Sequence, residues 1–491
     1  MLFMKILQNI SADNNYKRDL WLVFFVILAF FCIGLGARPY ITPSEARYIE
    51  IPRQIIATGD WLTPHINGVQ YFEKPPLFYW MQAIFLGIGD SEFWGRIATA
   101  IVVALTCTVT FATTRLLYSR RAGLLAAAAL ATSVLGYGLS KVAMLDAPVT
   151  LFLTCTIASF LFAQKTGKKK YYYYMYAAAA LAVMTKGLIG IVIPALVIGA
   201  WIAITKNWKI LLEARLFTGL LLFLAIAAPW HILMQRTHPE FFDFYFIHEH
   251  FTRYLTNEHK RTAPWWFFIA VTLAGAMPWL LVVSGKLQVI RKKEFYHLPL
   301  TTYHFLLLWI LLPLLFFSSS HSKLVPYIFP IFPPLFVLIG KRLDELWETR
   351  KRLIITTMAV MAVICISANF IAPYFDKRTI KPLTEQIKPE LTADDLVVAY
   401  NSYWQDLPVY LNRNIIVAGW TGELGFGRQH QLEATDLLIS IENFWIHCAY
   451  AKNKVFVFIN EEDFSTIKPH KNCELKEFGR YGKTILLIKG Q

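Results

Sequence analysis

Charge is scarce in this chain: 16% of its 491 residues are Asp, Glu, Lys or Arg, where a soluble globular protein carries about a quarter. Nucleotide-binding fingerprints are missing altogether. There is no G-x-x-x-x-G-K-[ST], no G-x-G-x-x-G after a strand, and no Asp-x-Asp pair suited to a metal-bound nucleotide sugar. That argues against an ATP-driven pump and against a nucleotide-sugar donor. Cysteine is sparse and has no metal-knot spacing: Cys32, Cys107, Cys155 and Cys365 sit in apolar runs, Cys448 and Cys473 in the tail. The last two leave open either a disulfide in an oxidising compartment or a chance pair. Internal repeats, a collagen-like period and low-complexity runs are also lacking.

What fills the space is hydrocarbon. Hydrophobic residues make up 56% of the chain and aromatics 15%. They cluster into blocks at 20–36, 97–117, 122–138, 149–164, 171–185, 188–205, 215–234, 264–284, 303–317, 324–340 and 353–372. Hydrocarbon offers backbone amides no water, so a crossing segment of this kind must be a helix of roughly 20 residues. A polytopic α-helical membrane protein with about 11–13 transmembrane helices is expected. The first run lacks a trusted cleavage site and reads as a retained helix rather than a signal peptide.

The net charge of +15 does not point to nucleic acid, because the basic residues collect in alternate connections. Lys17 and Arg18, Arg115 to Arg121, Lys165 to Lys170, Lys206 to Arg215, Lys286 to Lys293 and Lys341 to Arg352 mark every second loop. The positive-inside rule then puts the N-terminus in the cytoplasm. It puts 37–96, 139–148, 235–263, 318–323 and everything after about 373 on the far side. A membrane domain over 1–375 is expected, with a small exported α/β domain over 376–491. In the tail, 396–400, 414–419, 455–459 and 485–489 read as strands, with helices over 404–412 and 432–451. The first exported loop, 37–96, carries amphipathic pieces at 44–58 and 76–89, the second better suited to lie in the interface than to span.

The far-side loops are dense in ionisable groups, which are costly at membrane depth and usually mark a site. Loop 37–96 supplies Glu45, Arg47, Glu50, Glu73 and Lys74, loop 139–148 Lys141 and Asp146, loop 235–263 His248, Glu249, His250 and Arg253. The segment "SSSHSKLVPYIFP" adds His321, Lys323 and Tyr327. Each has a plainer reading. Lys74 and Lys323 are placed to snorkel at helix ends, Asp146 to cap the helix after it, and the His-Glu-His run to be a solvated loop.

Taken together, the segments resemble the GT-C superfamily of bacterial aminoarabinose transferases and protein O-mannosyltransferases. The resemblance rests on "TPSEARYIEIPRQIIATGDWLTPHINGVQYFEKPPLFYW" (42–80), "MLDAPVT" (144–150), "TKGLIG" (185–190), "APWH" (228–231), "IHEHFTRY" (247–254), "SKLVPYIFP" (322–330) and "DLPVYLNRNIIVAGWTGELGFG" (406–427). It implies transfer of a sugar, such as 4-amino-4-deoxy-L-arabinose, from a polyprenyl (undecaprenyl) phosphate carrier to a periplasmic acceptor, lipid A phosphate first. Transfer of a hexose such as mannose to protein or another envelope glycan is the alternative, and a lipid-linked sugar transporter a more remote one. It implies a multi-pass protein of the bacterial inner membrane, with no nucleotide cofactor. By the same resemblance Lys74, Arg47, Tyr71, Tyr327, Lys323 and Arg253 meet the donor phosphate, Glu73 with His250 hold a divalent metal (Zn, Mg or Mn), and Glu45, Asp146 and Lys74 act in catalysis. One position departs: Ser44 in "SEARY" stands where the family has an acid. Either Glu45 or Asp146 then serves as base, or the acceptor is a phosphate oxygen that needs none.

Overall fold

The computed structural model of the chain describes residues 14–252, 262–284, 302–431, 434–465, 467 and 473–489, with side chains except at Asn14, His250, Phe251 and Thr252. The chain forms two compact units. One comprises the described parts of Met1–Leu35, Glu73–Phe78 and Arg96–Ala368; the other comprises Gly36–Phe72, Tyr79–Gly95 and the described parts of Asn369–Gln491.

The first unit is helical, and each of the expected apolar blocks carries helix among the described residues. Among the described residues, five helices are long and apolar enough to cross a membrane unaided: Glu92–Leu117, Asp146–Thr166, Leu216–Thr237, Thr302–Ser319 and Trp347–Phe375. A sixth candidate is broken, with Arg120–Ala131 and Val134–Ser140 meeting at 65°. The other blocks give shorter or interrupted helices, such as Lys170–Lys186, Ile189–Thr205 and the pair Phe267–Gly275 and Trp279–Ser284.

Glu92–Leu117 and Asp146–Thr166 are mostly buried, whereas Leu216–Thr237 and Trp347–Phe375 present Phe217, Leu220, Leu224, Val360, Val363 and Ile364 outward. Exposed apolar area on that scale needs hydrocarbon around it. Inside the bundle, a run of threonine hydroxyls on the helix Glu92–Leu117 is satisfied locally. Thr106, Thr108, Thr110, Thr113 and Thr114 each donate to the carbonyl four residues back.

The second unit holds a two-stranded hairpin, β1 (His65–Ile66) and β2 (Val69–Gln70), and a sheet from the tail. The sheet strands are β3 (Leu396–Tyr400), β4 (Ile416–Ala418), β5 (Leu438–Ile439), β6 (Val455–Asn460), β7 (Lys476–Tyr481) and β8 (Thr484–Lys489), in the order β5-β4-β3-β6-β8-β7. The run β5-β4-β3-β6 is parallel and β6-β8-β7 antiparallel. Strand β6, "VFVFIN", is buried on both faces, as a central strand of such a sheet must be. The expected helix over 432–451 is interrupted: Leu438 and Ile439 pair with β4, and Ser440 starts a new helix, Ile441–Tyr450, by accepting from the Asn443 amide. Cys448 and Cys473, both buried, form a disulfide with Cα atoms 5.7 Å apart.

The expected boundary at 375 separates the first loop from the tail, yet most of loop 37–96 packs in the same unit as the tail. Polar contacts explain this. Asn67, at the tip of the β1–β2 hairpin, donates from Nδ2 to the Ile415 carbonyl and accepts from the Ile415 amide, each at 2.9 Å. Asn67 and Gly68 take φ of 52° and 76°, the Asn-Gly geometry of a tight hairpin turn. Gln54 donates to Asn414 at 2.5 Å, and Thr42 to Asp406 at 2.6 Å.

Candidate active site

Two helices of the first unit form an antiparallel pair, Asp146–Thr166 and Lys170–Lys186, joined by a link of only a few residues. A short link returns the chain, so the start of the first helix and the end of the second lie at the same end of the pair. Asp146 opens one and Lys186 closes the other. The Lys186 Nζ donates to Asp146 Oδ1 at 2.5 Å, and the two side chains are 16% and 7% exposed. Each charge also suits its own helix end, an acid at the N-terminus and a base at the C-terminus. Lys186 Nζ lies 4.3 Å from the Tyr327 ring centroid, a cation–π distance. Tyr327 is carried by the 3-10 helix Val325–Ile331, which packs on Asp146–Thr166.

Asp146 is therefore not the cap that its local sequence suggests. Leu145 occupies the cap position, no side chain caps the helix, and the carboxylate is committed to Lys186. Lys186 was not singled out as a site residue from sequence, although it lies within "TKGLIG". The signal was there: it is an isolated lysine in a short connection on the side whose loops are not basic.

The second cluster of this unit is built on Lys74. Pro75 and Pro76 precede the helix Leu77–Leu86, so the residue before them is held extended and outside the helix. Lys74 Nζ donates to Glu249 Oε2 at 2.9 Å and to its neighbour's carbonyl, Glu73 O, at 2.6 Å. The Glu249 side chain is 4% exposed and that of Lys74 17%, so Lys74 is a partner in a largely buried ion pair and not a snorkelling side chain. Glu249 lies on the π-helical stretch Asp243–Thr252, where a solvated loop was one expectation. Wide turns of this kind recur at functional sites. His248 Nδ1 is 3.8 Å from Glu249 Oε1.

The other expected site residues are each described by their own contacts. Lys323 Nζ donates to the Ser320 carbonyl at 2.6 Å. Lys141 donates to the carbonyls of Phe31 and Ile33, satisfying the end of the helix Asn14–Cys32, which is a structural use. Glu45, Arg47 and Tyr71 belong to the second unit. Fully buried Glu45 accepts from the Ile41 amide at 3.1 Å and lies 3.6 Å from Arg38. Arg47 pairs with Glu423 of the tail, and Tyr71 is buried with its amide on the Pro64 carbonyl. Arg253 and the His250 side chain lie outside the described residues. Among the described residues, no group of three His, Cys, Asp or Glu side chains is arranged to hold a metal, and Glu73 is the one member of the expected pair with a described side chain.

Two known family descriptions match the chain: dolichyl-phosphate-mannose-protein mannosyltransferase over 73–233 and the aminoarabinose transferase C-terminal domain over 383–488. The undecaprenyl phosphate-alpha-4-amino-4-deoxy-L-arabinose arabinosyl transferase of Aeromonas salmonicida is 32% identical over 376 residues, 72% of this chain and 67% of that one. The chain belongs to this arabinosyl transferase family. The Aeromonas hydrophila member is 34% identical over 343 residues, covering 68% of this chain and 61% of its own length. The chain thus matches about three fifths to two thirds of these relatives. The crystal structure of ArnT from Cupriavidus metallidurans bound to undecaprenyl phosphate shares the arabinosyl transferase fold with it, at TM-score 0.81 and 23% identity over 95% of this chain and 97% of that one.

Proposed function

We propose that the chain transfers 4-amino-4-deoxy-L-arabinose from undecaprenyl phosphate to a phosphate of lipid A at the periplasmic face of the inner membrane. In this reading an acceptor oxygen bonds to the sugar's anomeric carbon while the bond to the carrier phosphate breaks, and the electron pair leaves on a phosphate oxygen. The observation that carries it is the pairing of two lysines with two buried carboxylates in one membrane unit, Lys74 with Glu249 and Lys186 with Asp146. Fixed cations in a dry site are worth most where negative charge develops. Lys74, oriented by Glu249, meets the leaving phosphate. Asp146, held by Lys186, faces the acceptor and takes its proton where there is one to take. Arg47 ties the first loop to the tail through Glu423, and Glu45 faces Arg38 within the loop.

The divalent metal assigned to Glu73 and His250 belongs to the same proposal, and metal analysis of purified chain against Glu73→Gln tests it without reference to activity. Orientation rests on the alternation of basic loops. The match of the tail to an aminoarabinose transferase domain favours this donor over mannose. Mass spectrometry of lipid A from a deletion strain, with and without the restored chain, is the deciding experiment. Lipid A unchanged by restoration, with a hexose lost from envelope protein instead, would move the assignment to the mannosyl alternative.

A further inference from the structure

A cavity of about 860 Å³ opens in the second unit where the chain leaves the helix Trp347–Phe375. Its walls are the segment 375–380 and the turn between β7 and β8, and its charged lining residues are Lys377, Arg378, Lys483 and Asp376. Arg378 is answered by Asp376, its guanidinium donating at 2.9 and 2.8 Å, and that bond holds the Asp376 carboxyl below its usual range. Lys377 lies 5.2 Å from the Tyr481 ring, and among the described residues no carboxylate pairs with it. Lys483 reaches only the exposed Glu462, at 3.6 Å, which does not line the cavity. The lining thus carries two more positive charges than negative ones.

Beside this basic cavity the last turns of the helix are bare. Tyr374 and Phe375 are 80% and 81% exposed, and Phe370 and Ile371 are half exposed. An apolar ridge continuous with a membrane-length helix, ending at a cationic cavity, has the polarity of an anionic amphiphile read from tail to head. We infer that this cavity binds the phosphate-bearing headgroup of an anionic membrane lipid, whose acyl chains lie along Phe370, Ile371, Tyr374 and Phe375. The volume is of the size that small-molecule sites occupy. Nothing in this inference depends on which lipid, if any, is glycosylated.

The test uses purified full-length chain, stripped of lipid and titrated by native mass spectrometry with phosphatidylglycerol and with phosphatidylcholine of the same acyl chains. Phosphatidylglycerol is expected to bind the tighter of the two. Lys377→Gln with Lys483→Gln should weaken it by about fivefold for each charge removed, while phosphatidylcholine is unaffected. Lys377→Arg with Lys483→Arg should keep the affinity, which separates charge from folding. Equal binding of the two lipids, or equal binding of phosphatidylglycerol by the Gln variant, overturns the assignment. So does displacement of the lipid by inorganic phosphate at matching concentration, which would make this a free-anion site.

Discussion

Lys74→Met keeps the length of the side chain and removes its charge. If the leaving phosphate is stabilised there, transfer should fall by about a hundredfold or more, the cost of losing one preorganised donor. Glu249→Gln leaves the ammonium but loosens it, so a smaller fall is expected in the same assay. The order of the two losses is what matters: a larger effect at Glu249 would mean the ion pair is needed for folding and not for chemistry. Asp146→Asn strands Lys186, half of a buried pair, and breaking such a pair costs about 3–5 kcal/mol. Asp146→Asn combined with Lys186→Met removes both charges and should recover most of the lost melting temperature while transfer stays absent. Recovery of transfer along with stability would demote the pair to packing. The sequence exposed Lys74 and Asp146 because ionisable groups beside prolines at a membrane edge are rare. It hid Lys186, whose partner is forty residues away and whose role depends on a helix hairpin closing. Nor does anything local say that Lys141 will cap a distant helix.

Periodicity and hydropathy located the helices well, because a buried apolar run can hardly be anything else in hydrocarbon. Breaks were less legible. The 65° bend between Arg120–Ala131 and Val134–Ser140 is set by Ser133, whose hydroxyl donates to the Leu130 carbonyl and accepts from the Gly136 amide, a local choice with no periodic signature. Strand β5 was invisible for a related reason: two residues pair with β4 inside a stretch that otherwise favours helix. Close packing between elements makes a sharper prediction. The helices Phe332–Glu345 and Arg120–Ala131 approach so closely that a Cβ at Gly340 would lie 2.6 Å from the Ala122 carbonyl and 2.5 Å from the Ala126 Cβ. Small residues at such crossings let backbones meet. Gly340→Val should therefore cost about 1–3 kcal/mol as the helices part, read as a lower melting temperature in detergent. An unchanged temperature would mean that this contact does not hold the bundle.

On the scale of the whole chain, the sequence suggested one cut near 375, and the first loop defeats it by packing with the tail. No local pattern announces that partnership, because it is made by single polar contacts hundreds of residues apart. Asp406 is the most loaded of them. It is fully buried, accepts from the Thr42 and Thr379 hydroxyls at 2.6 and 2.9 Å and from the Ile380 amide at 2.9 Å, and so ties loop to tail. Nearby charge comes from Glu92, which accepts from Lys381 at 2.6 Å and from the Tyr410 hydroxyl at 3.2 Å. Burial raises the Asp406 carboxyl to about 6 despite the three bonds, which pull it down. A carboxyl whose pKa is raised by folding binds its proton more tightly in the folded chain, so stability is gained as pH falls through the interval from about 6 to the unfolded value near 4 and lost as pH rises through it. The full span is at most about 3 kcal/mol. Asn at this position keeps an acceptor for Thr379 and Ile380 and turns a donor toward Thr42, so Asp406→Asn should raise the melting temperature at pH 7 and flatten its rise on acidification. Melting curves of the full chain between pH 4 and 8 read this directly. A variant with the same pH slope as the parent would place the titrating group elsewhere and leave Asp406 as a neutral staple between loop and tail.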